Sequence, residues 1–181
     1  DSGGTANGGV DTLTQSIAIT VNAVNDAPVL TAGTVANLTV NEDSGTTSLG
    51  LGSVTYGPGG GTDEAAQTLS YKVTAIPAAS LGTVYLADGV TAVVANTSYT
   101  LAQIQGMKFT TAANANGSGT FTYTVQDSGG TANGGVDTLT QSIAITVNAV
   151  NDAPVRTAGT VANLTVNEDS GTTSLGLGSV T

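Results

Sequence analysis

The sequence predicts an all-β protein, built as an antiparallel β-sandwich that recurs in a tandem array. Three observations support this prediction. Short runs of alternating apolar and polar residues recur between Gly- and Asn-rich turn signals, only Leu101 to Gln105 has a helical pattern, and residues 1–55 recur as residues 127–181. Many short strands separated by turns are typical of a β-sandwich. Self-similarity at a fixed period indicates a repeat array.

Apolar alternation predicts the strands in order, at residues 36–41, 46–51, 69–75, 82–86, 91–95, 107–111, 120–126 and 137–147. The alternation is strictest in the seventh of these, where Phe121, Tyr123 and Val125 share one face. Asp88 begins a tight turn between two strands, and a Gly-rich hairpin loop joins the last two.

The repeating unit is 126 residues long, because the text that begins at residue 1 begins again at residue 127. A unit of this size can bury its own core. The natural joint is the segment VNAVNDAPV at 21–29 and 147–155, where proline favours an extended residue before it and ends the preceding strand. Borders at 25/26 and 151/152 follow. The chain is therefore predicted to hold the C-terminal strands of a preceding repeat (1–25), a complete sandwich repeat (26–151) and the N-terminal strands of a following repeat (152–181).

The two copies differ at one position, where Leu30 corresponds to Arg156. An arginine buried without a partner is strongly destabilising. We therefore predict that this position faces solvent or the rim of the joint. Strand alternation then turns Val29 and Val155 inward.

The composition argues against several classes of function. The chain has no Cys, His or Trp, which removes thiol and imidazole catalysis, Cys/His zinc sites and disulfides. Lys72, Lys108 and Arg156 are the only cations against 13 carboxylates, and the net charge of −10 leaves no basic surface for nucleic acid. No apolar stretch is long enough to insert into a membrane. An enzyme is not expected, since a glycosidase would need a carboxylate pair with aromatic sugar platforms.

Four short motifs follow one another along the repeat: NDAPV at 25–29, NEDS at 41–44, TDE at 62–64 before LSY at 69–71, and FTYTVQDSGG at 121–130. Together they resemble the cadherin-like, immunoglobulin-like repeats of giant bacterial surface adhesins, such as the extender repeats of the RTX-adhesin and VCBS type. The first resembles the interdomain linker, the second the acidic turn after the first strand, the third the acidic loop before the third strand, and the fourth the penultimate strand with its following turn. The chain departs from the vertebrate cadherin linker at Ala23, where an acidic residue is usual.

In those families the linker and the loop carboxylates bind Ca²⁺, which takes roughly 6–8 oxygen ligands. The resemblance implies Ca²⁺ at each joint, held by the end of one repeat, the linker and the start of the next. The residues expected near the incoming linker are Asn25, Asp26, Asp63, Glu64, Asp127 and Asp137. Those expected near the outgoing linker are Glu42, Asp43, Asn151 and Asp152, and the second copy of the acidic turn adds Glu168 and Asp169. Each of these acids also has a plain interpretation as a turn, capping or solvated residue.

The function that these features favour is a structural spacer in a large extracellular bacterial adhesin or cell-surface fibre, with Ca²⁺ stiffening the joints. Its partners would be the neighbouring identical repeats of the same chain. One alternative is a self-associating subunit of a filament or biofilm matrix, in which identical chains contact each other. A carbohydrate-binding module is a further alternative, against which the absence of Trp argues.

Overall fold

The computed structural model describes all 181 residues, and its regular structure is almost entirely β. Helical structure is limited to one short α-helix and two single 3-10 turns, so no helix is long enough to cross a membrane. The all-β prediction is confirmed. The elements are β1 (Val29–Ala32), β2 (Leu38–Asn41), β3 (Thr46–Ser48), β4 (Thr55–Gly57), β5 (Leu69–Ala75), β6 (Gly82–Tyr85), β7 (Thr97–Tyr99), α1 (Leu101–Gln105), β8 (Lys108–Thr111), β9 (Gly117–Asp127) and β10 (Thr138–Asn148).

The predicted strands agree best with the structure where the alternation is longest. Residues 69–75 form β5 with the predicted bounds, 120–126 lie within β9, and 137–147 match β10 to within one residue. β2, β3, β6 and β8 overlap their predicted segments but are shorter. β4 and β7 were missed, because a strand of three residues is too short to show a period. β1 was expected only as the strand that carries Val29, without bounds.

The prediction of a strand at 91–95 is wrong. This segment makes a single bridge, with Ala92 opposite Tyr85. Val93 is 3 % exposed whereas Val94 is 59 % exposed, so the segment touches the core at one point and then turns away. The run of small apolar residues suggested more pairing than the backbone makes.

The helix α1 is a single turn that its capping residues stabilise. The Thr100 side chain accepts from the Gln103 amide at 3.2 Å, and the Gln103 side chain accepts from the Thr100 amide at 2.8 Å. This reciprocal capping box satisfies two backbone donors that would otherwise lack partners. Ile104, the buried residue of the turn, attaches the helix to the core.

The strands form three sheets. A five-stranded sheet has the order β2-β10-β9-β5-β7, a three-stranded sheet has the order β3-β8-β6, and β1 pairs with β4. β9 and β10 form a long antiparallel hairpin, but β2 pairs with β10 in parallel, with Leu38 opposite Ile145. The expectation of purely antiparallel sheets is therefore wrong at this edge.

One hydrophobic core of 17 buried residues draws on both larger sheets. Phe121, Tyr123 and Val125 of β9 are all fully buried, as the strand alternation predicted. Ile143 and Ile145 extend the same layer on β10. The alternate positions of these two strands are mostly Thr and Ser, and they face outward.

The predicted facing of β1 is wrong. Val29 is 48 % exposed, while Leu30 is half-buried, packs against the core and lies opposite Tyr56 of β4. Inward and outward positions still alternate, but the inward ones are Pro28, which is buried just before the strand, and Leu30, not Val29. A half-buried position can still accept arginine in the other copy, because the aliphatic stem can cover apolar surface while the guanidinium reaches water.

The flanking copies of the repeat text form no strands. Residues 11–22 have the same sequence as β10 and its first flanking residue, yet Leu13, Ile17 and Ile19 are each more than 80 % exposed. In β10 the same positions pair with β9 and β2. Partner strands, and not the local sequence alone, therefore make this segment a strand.

Candidate cation site

The linker residue Asn25 is held by two loops. Its Nδ2 donates to Asp127 Oδ1 at 3.0 Å and to the Val136 carbonyl at 2.7 Å. Its Oδ1 accepts from Gln67 Nε2 at 2.7 Å, and its own carbonyl accepts from the Val136 amide at 2.9 Å. The β4–β5 loop and the β9–β10 loop therefore meet at the incoming linker.

Glu64 fixes the next linker residue. Its Oε1 accepts the Asp26 backbone N–H at 2.6 Å, and the side chain is only 3 % exposed. Gly60 packs directly against this carboxylate, and a Cβ at that position would overlap it. Gly60 also has a φ of +33°, so glycine is required there both for space and for backbone conformation.

Three oxygen atoms around this site are buried without any hydrogen-bond partner. They are Glu64 Oε2, Gln67 Oε1 and Asp127 Oδ2. Asp127 is 6 % exposed and uses only its Oδ1, which accepts from Asn25 and from the Gly129 amide at 2.9 Å. A buried acceptor without a partner costs about 1–3 kcal/mol, and more when it is charged. These atoms need a hydrogen-bond donor or a cation that the neighbouring side chains do not supply.

A cavity of about 180 Å³ adjoins Glu64 and Gln67, and Asp127 is hydrogen-bonded to two of its other lining residues, Asn25 and Gly129. Its lining includes Asn25, Asp63, Glu64 and Gln67, and Ala23 and Val24 of the linker close one side. A water molecule in the liquid occupies about 30 Å³, so the cavity has room for an ion together with bound water. The carboxylate and amide oxygens of these four side chains are ligand types that a hard cation such as Ca²⁺ accepts.

Three of the predicted ligands do not share the burial of Glu64 and Asp127. Asp26 and Asp63 have exposed side chains. Asp137 accepts from Gln126 Nε2 at 2.8 Å and from the Thr138 hydroxyl at 2.8 Å, and these hydrogen bonds lower its pKa.

No three acidic side chains are gathered closely enough to hold an ion. Of the five carboxylates expected near the incoming linker, Glu64 and Asp127 are the buried ones, and they lie beside the amides of Asn25 and Gln67. Gln67 was missed because the family resemblance pointed to the linker and to the acidic residues of the loops. Its amide oxygen is nonetheless a ligand type that Ca²⁺ accepts.

The acidic turn at the other end of the repeat meets the outgoing linker. Glu42 is 8 % exposed, and its Oε1 accepts the Val150 backbone N–H at 2.6 Å. Asp43 has a φ of +58° and accepts from the Asn114 amide at 3.1 Å. The two acids therefore anchor backbone, Glu42 in the linker and Asp43 in the β8–β9 loop.

The remaining predicted residues are exposed and make few contacts. Asn151 Nδ2 donates only to the Asp152 carbonyl, at 3.1 Å. Glu168 and Asp169 occupy a turn whose Asp169 φ of +57° reproduces that of the first copy. The turn geometry is therefore encoded locally, although the strands beside it are absent from this copy.

No family model matches the chain, and no curated protein matches it either.

Proposed function

We propose that the chain is part of a tandem array of β-sandwich repeats that acts as a structural spacer in a large extracellular bacterial adhesin or surface fibre, with Ca²⁺ stiffening each joint. The observation that carries this proposal is the set of buried oxygens without partners where the linker enters the repeat. Glu64, Gln67 and Asp127 would hold the ion, with Asp63 at the edge of the same cavity. Bound Ca²⁺ would supply the positive charge that these oxygens lack.

The linker contacts at the two ends of the repeat support a short, stiff joint. Val150 corresponds to Val24 in the 126-residue register, since 150 − 126 = 24. In an array, each linker would donate one backbone N–H to Glu42 of the preceding repeat. It would donate another, two residues later, to Glu64 of the following repeat. Two extended residues span at most about 7 Å, so the two glutamates would bind backbone N–H groups of the linker that lie within about 7 Å of each other.

Charge explains why this joint would need a cation. These two glutamate–linker hydrogen bonds would bring Glu42 of one repeat close to Glu64 and Asp127 of the next, and all three side chains are buried. Like charges at short distance repel, and burial strengthens the effect. Without Ca²⁺ the repulsion would weaken the hydrogen bonds that hold the linker to Glu42 and Glu64, whereas bound Ca²⁺ would connect the two repeats.

The proposal is tested with a protein of two complete repeats that spans one intact joint. Its melting temperature is expected to rise when millimolar Ca²⁺ replaces a chelator, because a ligand that binds only the folded state stabilises it. Mg²⁺ should substitute poorly, since it demands a small octahedral shell. X-ray scattering should show a longer, straighter particle with Ca²⁺. Identical melting and scattering curves in both conditions would remove the ion from the proposal.

A second candidate, a self-associating filament or matrix subunit, is favoured by the outer face of the five-stranded sheet. This face consists mainly of Thr and Ser, such as Thr122 and Ser142, which are 3.3 Å apart across β9 and β10. Lys72 is the only charged residue at the outward positions of its strands. Scattering at increasing concentration separates the two functions, because a spacer stays a thin monomer whereas a filament subunit thickens.

A further inference from the structure

The hydrogen bonds of Asn25 leave only one orientation for its side-chain amide. The partners on one side are the Asp127 carboxylate and the Val136 carbonyl, at 3.0 and 2.7 Å. Both of these groups are acceptors only, so the Asn25 NH₂ group must face them. The Asn25 oxygen then faces Gln67, at 2.7 Å from Nε2.

This orientation determines which oxygens remain free. Because Gln67 must donate its NH₂ group to Asn25, its Oε1 points elsewhere, and that atom is buried without a partner. Because Asp127 accepts through Oδ1, its Oδ2 remains without a partner as well. Two of the three unpaired oxygens at the candidate site are therefore set by one linker side chain.

We propose that Asn25 is a positioning residue, which turns the oxygens of Gln67 and Asp127 toward the cation without binding the cation itself. The inference rests on the proposed Ca²⁺ site and adds a role for the residue that precedes the repeat. Linker docking and ion binding are then coupled. A repeat whose linker is undocked leaves Gln67 free to rotate, and its Ca²⁺ ligands are no longer pre-oriented.

The space around Asn25 indicates that the docking is specific. A Cβ on Gly129 would overlap the Asn25 amide oxygen, and a Cβ on Gly135 would lie 3.0 Å from the Asn25 Cβ. Neither glycine has the left-handed backbone conformation that would by itself require glycine. Their lack of a side chain therefore makes room for Asn25.

The chain carries its own matched controls, because each of these residues has a copy elsewhere. Asn151 repeats Asn25 but contacts only the Asp152 carbonyl. Gly3 repeats Gly129, since 129 − 126 = 3, and lies in the exposed N-terminal segment. Each substitution at the docking site therefore has an equivalent substitution in identical local sequence without the docking contacts.

The experiment measures Ca²⁺ affinity of the 181-residue chain by calorimetry, for the unaltered chain and for Asn25→Ala, Asn25→Asp and Asn151→Ala. Substitutions of residues that orient metal ligands typically lower affinity about 10- to 100-fold. We expect that loss for Asn25→Ala and for Asn25→Asp, which removes the donor to Asp127, and no change for Asn151→Ala. Thermal melts in chelator would show that each variant folds.

The outcomes separate this inference from the function on which it rests. If the unaltered chain binds Ca²⁺ and Asn25→Ala binds it equally well, the positioning role is overturned while the proposed function stands. If Asn25→Asp binds as tightly or more tightly, Asn25 is a direct ligand and the inference is again overturned. If the unaltered chain binds no Ca²⁺, both proposals fail.

A second measurement reports the docking itself. The Asn25 side-chain NH₂ signals in a ¹⁵N-edited NMR spectrum should exchange slowly with water even in chelator, unlike those of Asn151. Gly129→Ala should abolish this protection, and Gly3→Ala should leave it intact. Equal exchange of the two asparagine side chains would overturn the docking geometry directly.

Discussion

Replacing Glu64 by glutamine should change stability in opposite directions with and without Ca²⁺. In chelator, the Glu64 carboxylate has one oxygen bound to the Asp26 N–H at 2.6 Å and one buried oxygen without a partner. Glutamine removes this buried charge and places an NH₂ donor in a site whose unpaired atoms are all acceptors, which recovers about 1–3 kcal/mol, while exchanging the charge-assisted hydrogen bond for a neutral one loses about 1 kcal/mol. The expected result is that Glu64→Gln is more stable than the unaltered chain by about 1 kcal/mol.

With Ca²⁺ the order should reverse. At a concentration of 100 times its Kd, a ligand stabilises the folded state by about 2.7 kcal/mol. Glu64→Gln loses a carboxylate ligand and gains little of this stabilisation, so the unaltered chain should become the more stable by nearly 2 kcal/mol, the gain of about 2.7 less the initial deficit of about 1.

Urea unfolding in chelator and across a Ca²⁺ series measures both differences. Asp63→Asn is the matched control, because this neighbour lines the same cavity but is exposed. It should change stability in chelator by less than about 0.5 kcal/mol. If Glu64→Gln is destabilising by 1 kcal/mol or more in chelator, the carboxylate is already compensated and the cation argument is refuted.

Three further predictions concern the core and β1. The hydroxyls of Tyr56 and Tyr123 are 2.6 Å apart, and Tyr123 is fully buried whereas Tyr56 is half-buried. Tyr56→Phe leaves the buried Tyr123 hydroxyl without a partner and should lower the free energy of unfolding in urea by about 1–3 kcal/mol. Tyr123→Phe should lower it by less, because water can reach the Tyr56 hydroxyl. Equal losses for the two variants would contradict this reasoning. Burial, with the Tyr56 hydrogen bond, raises the pKa of Tyr123, so the unfolded chain loses this proton first and stability should fall above pH 10 by up to about 1.4 kcal/mol per pH unit; Tyr123→Phe should make that slope shallower. Leu30→Arg should cost about 1 kcal/mol, since half of a leucine side chain is uncovered while the arginine stem replaces part of it; a loss of 3 kcal/mol or more in urea unfolding would show that the position is fully buried.

Features that depend on neighbouring residues in the chain could be predicted from the sequence. The capping box of Thr100 and Gln103 forms one helical turn where the pattern indicated it. The acidic turn at Asp43 adopts the same backbone at Asp169, even where no strand surrounds it. The burial of Phe121 followed from strict alternation, because every second residue of a strand faces the same side.

Features that depend on distant partners were harder to predict. Leu30 faces inward because Pro28, two residues before it, is buried. The arginine at the same position of the other copy had suggested an outward position. The parallel pairing of β2 with β10 depends on how the sheet closes, and alternation is the same for parallel and antiparallel neighbours. Gln67 joins the candidate site through a hydrogen bond to Asn25, 42 residues away in sequence. No local pattern distinguishes that amide from one in an ordinary loop.

The identity of β10 with its unpaired copy bears on how such a protein avoids misassembly during folding. In an array of near-identical repeats, β10 of a neighbouring repeat would complete the sheet with the same contacts, so packing energy cannot select the correct strand. Loop closure can. The hairpin between β9 and β10 spans 10 residues, from 128 to 137, whereas in such an array the next copy of β10 would lie one repeat of 126 residues further along. The entropy of closing the longer loop therefore disfavours pairing of β9 with β10 of another repeat by about 2 kcal/mol, or roughly 50-fold in population. In such an array the short glycine-rich hairpin would therefore disfavour strand exchange between repeats, and a longer hairpin would weaken that protection.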